Sequence, residues 1–180
     1  DYPAKVKCCG FPIIQAREEL ALNELIQPIE QAMEAGADAM VHTLEAFVNK
    51  GHTPISRMHC REAFKLLFSN LDELAKGRQD ADVVSGLALG AYLAGIALAN
   101  SGRGGAVGAL SYILGVEYGV PHGMAGAVFL TPITHLNVAK GYEDYAGLYD
   151  HIGDVDTSIP TDKKSERFAE ELQGLWDRLQ

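Results

Sequence analysis

The chain has 180 residues, 47% of them hydrophobic, and a formal net charge of −9. That length is enough for one domain with a proper core, and the apolar fraction argues against disorder. The acidic balance argues against duplex nucleic acid as a partner, while a small anion beside a local basic residue stays open.

The cysteines are Cys8, Cys9 and Cys60, which cannot all pair, and no Cys-x-x-Cys spacing exists for a cysteine zinc site. A reduced, cytoplasmic protein is the expectation. The opening Asp1-Tyr2-Pro3-Ala4-Lys5 has no initiator Met and no apolar signal region. Both ends look cut, so a fragment or an excised domain is expected.

Residues 1–12 read as an irregular lead-in, punctuated by Pro3, Gly10 and Pro12. Ile13–Ile26 has a helical pattern, with Leu20, Leu22, Leu25 and Ile26 among Arg17, Glu18, Glu19 and Glu24. Pro28 ends or kinks that helix and can open the next one. From Ile29 to Val48 the apolar residues Met33, Met40, Val41, Leu44 and Phe47 again suit a helix. Gly36 suggests a break there, which would put Asp38 near a helix N-terminus. Gly51 is a plausible stop.

Thr53-Pro54 reads as an N-cap with proline in the first turn. The helix runs to about Lys76 with the stripe Met58, Phe64, Leu67, Leu71 and Leu74, and Gly77 ends it. Asp80 caps an apolar helix reaching about Asn100. No charged residue lies between Asp82 and Arg103, a length that could span a bilayer. Gly86, Gly90, Gly95, Ser85 and Asn100 dilute it, so a buried helix at the centre of a helical domain is the expectation. Those glycines follow no strand, so they are not a phosphate loop; close helix packing suits them better.

Ser101-Gly102-Arg103-Gly104-Gly105 reads as a flexible connector. Ala106–Val116 is a short helix, Val120–Asn137 a longer one, and Tyr142–Ile152 a further one. Asp154–Thr161 is a loop. Thr161-Asp162 caps a final amphipathic helix carrying Phe168, Leu172, Leu175, Trp176 and Leu179. No convincing strand appears. The reading is an all-α domain of seven to nine helices over residues 13–180, with no nucleotide-binding sheet of its own.

Two stretches carry chemistry. In Gly119-Val120-Pro121-His122-Gly123 a proline and two glycines form a turn that holds His122 in place. Upstream, Asp38 and His42 are four apart, so on a helix they share one face and can grip one divalent cation. Taken alone, a surface pair is the commoner explanation of that spacing.

The combination Asp38-Ala39-x-x-His42-x-x-Glu45-Ala46, a Gly/Ala-rich span, Gly119-Val120-Pro121-His122-Gly123 and Asn137 resembles the metal-binding domain of the iron-containing alcohol dehydrogenases. The likeness runs from Ala35 to Gly153. It implies a dehydroquinate synthase-like α domain, normally preceded by a Rossmann-like α/β domain that is absent here, and more helices after it. It implies that Asp38, His42 and His122 are catalytic metal ligands for iron(II) or zinc. The partners implied are NAD or NADP, a small alcohol or aldehyde substrate, the chain's own N-terminal nucleotide-binding domain and, as an open option, a second copy. Neither nucleic acid nor membrane is expected.

The sequence departs from the family at two positions. Gly108 stands where the resemblance implies a fourth ligand, a histidine, and Tyr112 where it implies a second histidine near the substrate. Two readings follow: three ligands hold the metal, with Glu117, His135 or His52 as helpers, or the site has decayed. Tyr112 and His135 are candidate substrate contacts. Glu45 is expected in a supporting role; His52, His59 and His151 are expected at the surface, and Arg103 in a solvated loop.

The altered ligand suggests a divergent branch, such as an oxidase of the eight-carbon sugar acid 3-deoxy-octulosonate. The rivals are a dehydroquinate synthase-like lyase or cyclase, whose metal set is a glutamate and two histidines and against which the Asp38/His42 pair speaks, and a helical interaction domain with relic ligands.

Overall fold

The computed structural model describes residues 27–102 and 104–179, with side chains from residue 31. The expected lead-in, the Ile13–Ile26 helix, Cys8, Cys9 and Arg103 lie outside the described residues. Among those described there are seven helices and no strand. They are α1 (Gln27–Val48), α2 (Pro54–Ala75), α3 (Ala81–Ala99), α4 (Ala106–Tyr118), α5 (His122–Ala139), α6 (Ala146–Tyr149) and α7 (Thr161–Leu179).

The central helix is α1, which packs against α2, α3, α4 and α5. From Gly36 to Phe47 all but His42 is buried. The expected break at Gly36 does not occur, and Asp38 is three turns inside the helix rather than near its end. Gly36 is there for contact: a Cβ would come within 3.0 Å of Leu71 and 3.3 Å of Leu87.

Helix α2 begins as expected. The Thr53 hydroxyl accepts from the Ser56 N–H at 3.0 Å, and the Ser56 hydroxyl accepts from the Thr53 N–H at 2.8 Å. This reciprocal capping satisfies two of the backbone donors that a helix start leaves orphaned. Met58 is not in the apolar stripe: it is exposed, and the buried face is Cys60, Ala63, Phe64, Leu67, Phe68 and Leu71. Phe64 lies 5.3 Å from both Phe68 and Phe168, which ties α2 to α7 through the core.

Asp80 caps α3 by accepting from the Val83 N–H at 3.1 Å. This helix is long and apolar enough to cross a membrane by length and composition. It is buried along one face only, through Val83, Leu87, Gly90, Ala91, Ala94 and Ala97, with Leu89 and Tyr92 exposed. The expectation of burial all round fails because α1 occupies the centre. Gly86 and Gly90 do permit close approach, to Asn70 and Leu67 on α2, whereas nothing lies within 4 Å of a Cβ at Gly95.

The expected helix over 142–152 shrinks to the four residues of α6. Ser165 on α7 braces its start: the hydroxyl accepts from the Ala146 N–H at 2.9 Å and donates to the Glu143 carbonyl at 2.8 Å. Helix α7 starts at Thr161 itself, the residue expected to cap it. It buries Phe168, Leu172, Leu175 and Trp176, and the Trp176 indole N–H donates to the Ala127 carbonyl at 3.0 Å. That bond fastens α7 to α5, the helix that begins with His122.

Candidate metal centre

Helix α4 ends in Gly119, whose φ of +67° is left-handed and suits glycine. Pro121 follows with φ −53° and ψ 139°, an extended conformation that α5 cannot include, so His122 becomes the first residue of that helix. Gly123 then lets α5 approach α1 at the backbone, since a Cβ there would collide with the Glu34 carbonyl. The turn thus aims His122 at the middle of α1.

There it meets Asp38 and His42. Asp38 Oδ1 lies 3.7 Å from His42 Nε2 and 3.6 Å from His122 Nε2. The three residues offer ligand atoms that all lie within 4.8 Å of one another. Donors around one tetrahedral ion at about 2.1 Å stand roughly 3.4 Å apart, so this spacing is close to what one ion requires. Two imidazoles and one carboxylate suit zinc or iron(II) and leave coordination positions free. The Asp38 and His42 side chains are 10% and 12% exposed, and that of His122 is 30% exposed, so the cluster opens on the His122 side.

Tyr112 stands at that opening. Its ring meets the His122 imidazole edge-on, with centroids 5.5 Å apart, and the residue is 68% exposed. The other expected helpers are elsewhere. His135 is exposed on α5, about 20 Å along the helix from His122. Glu117 is exposed near the end of α4. His52 closes the far end of α1, its Nδ1 being 2.7 Å from the Asn49 carbonyl, and it is half-buried rather than at the surface. His59 is also half-buried, and His151 is exposed as expected.

Sequence reasoning gave Glu45 no definite task. Its buried carboxylate accepts a 3.0 Å hydrogen bond from the Gly108 N–H at the start of α4. A Cβ at Gly105 would come within 2.8 Å of Glu45 Oε1, and one at Gly104 or Gly108 within 3.4 or 3.3 Å of Oε2. The glycines around the expected connector therefore surround one carboxylate. The legible signal was the glycine run beside a Glu three residues after His42. A cavity of about 390 Å³ lies beyond Glu45, lined among others by Thr134, Asn137 and Tyr145, with none of the three donors in its wall.

Comparison with known proteins gives a consistent picture. The model of the Fe-containing alcohol dehydrogenase family, C-terminal, matches residues 32–180. An NAD-dependent methanol dehydrogenase of Bacillus methanolicus is 28% identical over 141 residues, covering 78% of this chain and 37% of that protein. Among solved structures, a 1,3-propanediol oxidoreductase superposes with a TM-score of 0.78 at 26% identity, over 88% of this chain and 41% of that one. An iron-containing alcohol dehydrogenase from Thermococcus thioreducens gives a TM-score of 0.67 at 27% identity, over 83% of this chain and 38% of that one. The chain thus spans well under half the length of these relatives.

Proposed function

The chain belongs to the iron-containing alcohol dehydrogenase family, and on that premise we propose that it supplies the metal-holding half of an enzyme interconverting a small alcohol and its aldehyde or ketone. Asp38, His42 and His122 are the proposed ligands, for iron(II) or zinc. The observation that carries this reading is the convergence of two imidazoles and one carboxylate, from α1 and α5, on one point. Their match to the family's ligand pattern explains why a buried carboxylate and two histidines should gather there.

When bound, a divalent ion would act as a Lewis acid toward the negative charge that develops on the substrate oxygen. The chain's own residues do the rest. Asp38 brings an anion into a largely buried place, so a cation there is favoured. The His122 side of the cluster admits a small molecule, and the Tyr112 phenol at the opening is placed to donate a hydrogen bond to it. In the reaction the carbinol carbon gives up a hydride with both electrons of its C–H bond, and the hydroxyl gives up its proton. NAD or NADP is the proposed acceptor, held by a nucleotide-binding domain that the longer relatives have room for. The substrate cleft would then lie between the two domains.

Metal content by elemental mass spectrometry tests this proposal. About one equivalent of zinc or iron in the wild type, lost in His42→Ala and in His122→Ala, is the expected result. Absence of metal after reloading with zinc and with iron(II) would leave a helical interaction domain with relic donors as the better reading.

A further inference from the structure

Helix α4 has little holding it to the centre of the protein. Only Val107 and Ser111 of its side chains are buried, while Tyr112, Ile113, Val116 and Tyr118 are exposed. It packs mainly against α5 and touches α1 sparingly. Its N-cap, Gly105, has no side chain with which to satisfy the helix's first N–H groups. The group that does so comes from α1: the Glu45 carboxylate, bonded to the Gly108 N–H at 3.0 Å.

Two features make this more than a chance cap. Glu45 is 8% exposed, and a polar group that deep in a fold is tolerated only where a hydrogen bond receives it, as the Gly108 N–H does here. The seat is also shaped for it, since a side chain at Gly105 would overlap Oε1. One turn after Gly108 comes Tyr112, the residue whose ring meets His122. On the other side of the same link, Glu45 is three residues from His42 and seven from Asp38. On a helix all three lie along one face of α1.

We propose that Glu45 is a positioning residue of the metal centre: by seating its carboxylate among Gly104, Gly105 and Gly108 it fixes α4 to α1 and so holds Tyr112 against His122. The same helix that carries two of the donors thereby sets the wall beside the third. The proposal rests on the metal-holding reading for its consequence, but the link itself is a property of the protein without metal.

Three variants test it in the 180-residue chain: Glu45→Ala, which removes the carboxylate; Gly105→Ala, which evicts it while leaving it in the sequence; and Glu45→Gln, which keeps an oxygen able to accept from the Gly108 N–H. Circular dichroism checks that each retains the helical fold. The first readout needs no metal: the nuclear Overhauser contact between the Tyr112 and His122 rings, present in the wild type and in Glu45→Gln, is expected to be lost in the other two. The second is zinc affinity by competition with a chromophoric chelator. It is expected to fall about 10–100-fold in Glu45→Ala and Gly105→Ala, the loss usual for a residue that supports metal ligands, and to recover most of the way in Glu45→Gln.

Retention of the ring contact and of wild-type zinc affinity in folded Glu45→Ala would overturn the proposal. So would a Glu45→Gln variant that loses as much as the alanine variant. A wild type that binds no zinc would sink the metal reading, and with it the consequence proposed for Glu45. The ring contact would still report on the link between α1 and α4.

Discussion

His122 Nε2 lies 3.6 Å from Asp38 Oδ1, so the first residue of α5 meets a carboxylate from the interior of α1. Asp38 stands between both imidazoles and is the sole carboxylate of the group. Asp38→Asn keeps the shape and removes the charge. Zinc affinity should fall in this variant by more than the roughly 10–100-fold typical of residues that only support ligands. Competition titration measures it, and an affinity within a few-fold of wild type would remove Asp38 from the ligand set.

Gly123 is the point at which α5 leans on the Glu34 carbonyl, and a Cβ there has no room. Gly123→Ala should cost about 1–3 kcal/mol in unfolding free energy, because the obstacle is backbone rather than a flexible side chain. Gly95→Ala is the matched control. Nothing lies within 4 Å of a Cβ at that helical position, so alanine should add about 0.5–1 kcal/mol. Thermal or urea unfolding of the pair checks both signs.

Cys60 is fully buried, and burial pushes its thiol pKa up to about 12, against the lowering effect of Arg57 and Arg61. Thiolate is the reactive form, so Cys60 should be inert toward Ellman's reagent in the folded protein at pH 8. It should react promptly in denaturant. A fast reaction in the folded protein, followed in Cys8→Ser/Cys9→Ser to isolate this thiol, would contradict the burial.

Asp72 joins α2 to α7 through Arg178 Nη2 at 2.8 Å and also pairs with Lys76 at 2.8 Å. Partial burial alone would raise its pKa, but hydrogen bonds from Lys76 and Arg178 outweigh that and hold it below the ordinary carboxylate range. A carboxyl lowered in the folded state adds stability above its unfolded pKa and loses it as the pH falls through the folded value. Asp72→Asn should therefore be less stable at neutral pH, by on the order of 0.5 kcal/mol once solvent screening is counted. That gap should close below about pH 4.

Much of the architecture was legible because helices announce themselves locally. Thr53-Pro54 and Asp80 mark ends whose physics involves only neighbouring residues, and each end lies there, whereas the helix expected to stop at Val116 runs on to Tyr118. Asp38, His42 and His122 were legible as candidate donors through the family resemblance, since the i,i+4 pair taken alone is more often a surface pair, and the fold brings the three together. Two of the failures of local reading share one cause. Gly36 looked like a break and proved to be a contact surface for Leu71 and Leu87, and in the stretch expected as a helix over 142–152 the Ser165 hydroxyl from α7 bonds the Ala146 N–H and the Glu143 carbonyl.

The sequence by itself determined the helical class and most helix starts and stops, because these depend on short-range periodicity and capping. Only the tertiary structure decided that α1 lies at the centre, that α3 is open along one face, that His135 and His52 stand away from the cluster, and that a glycine-rich connector encloses Glu45. Those outcomes depend on which faces meet across the fold. Contacts between residues far apart in the chain leave no periodic trace in it, so packing alone settled them.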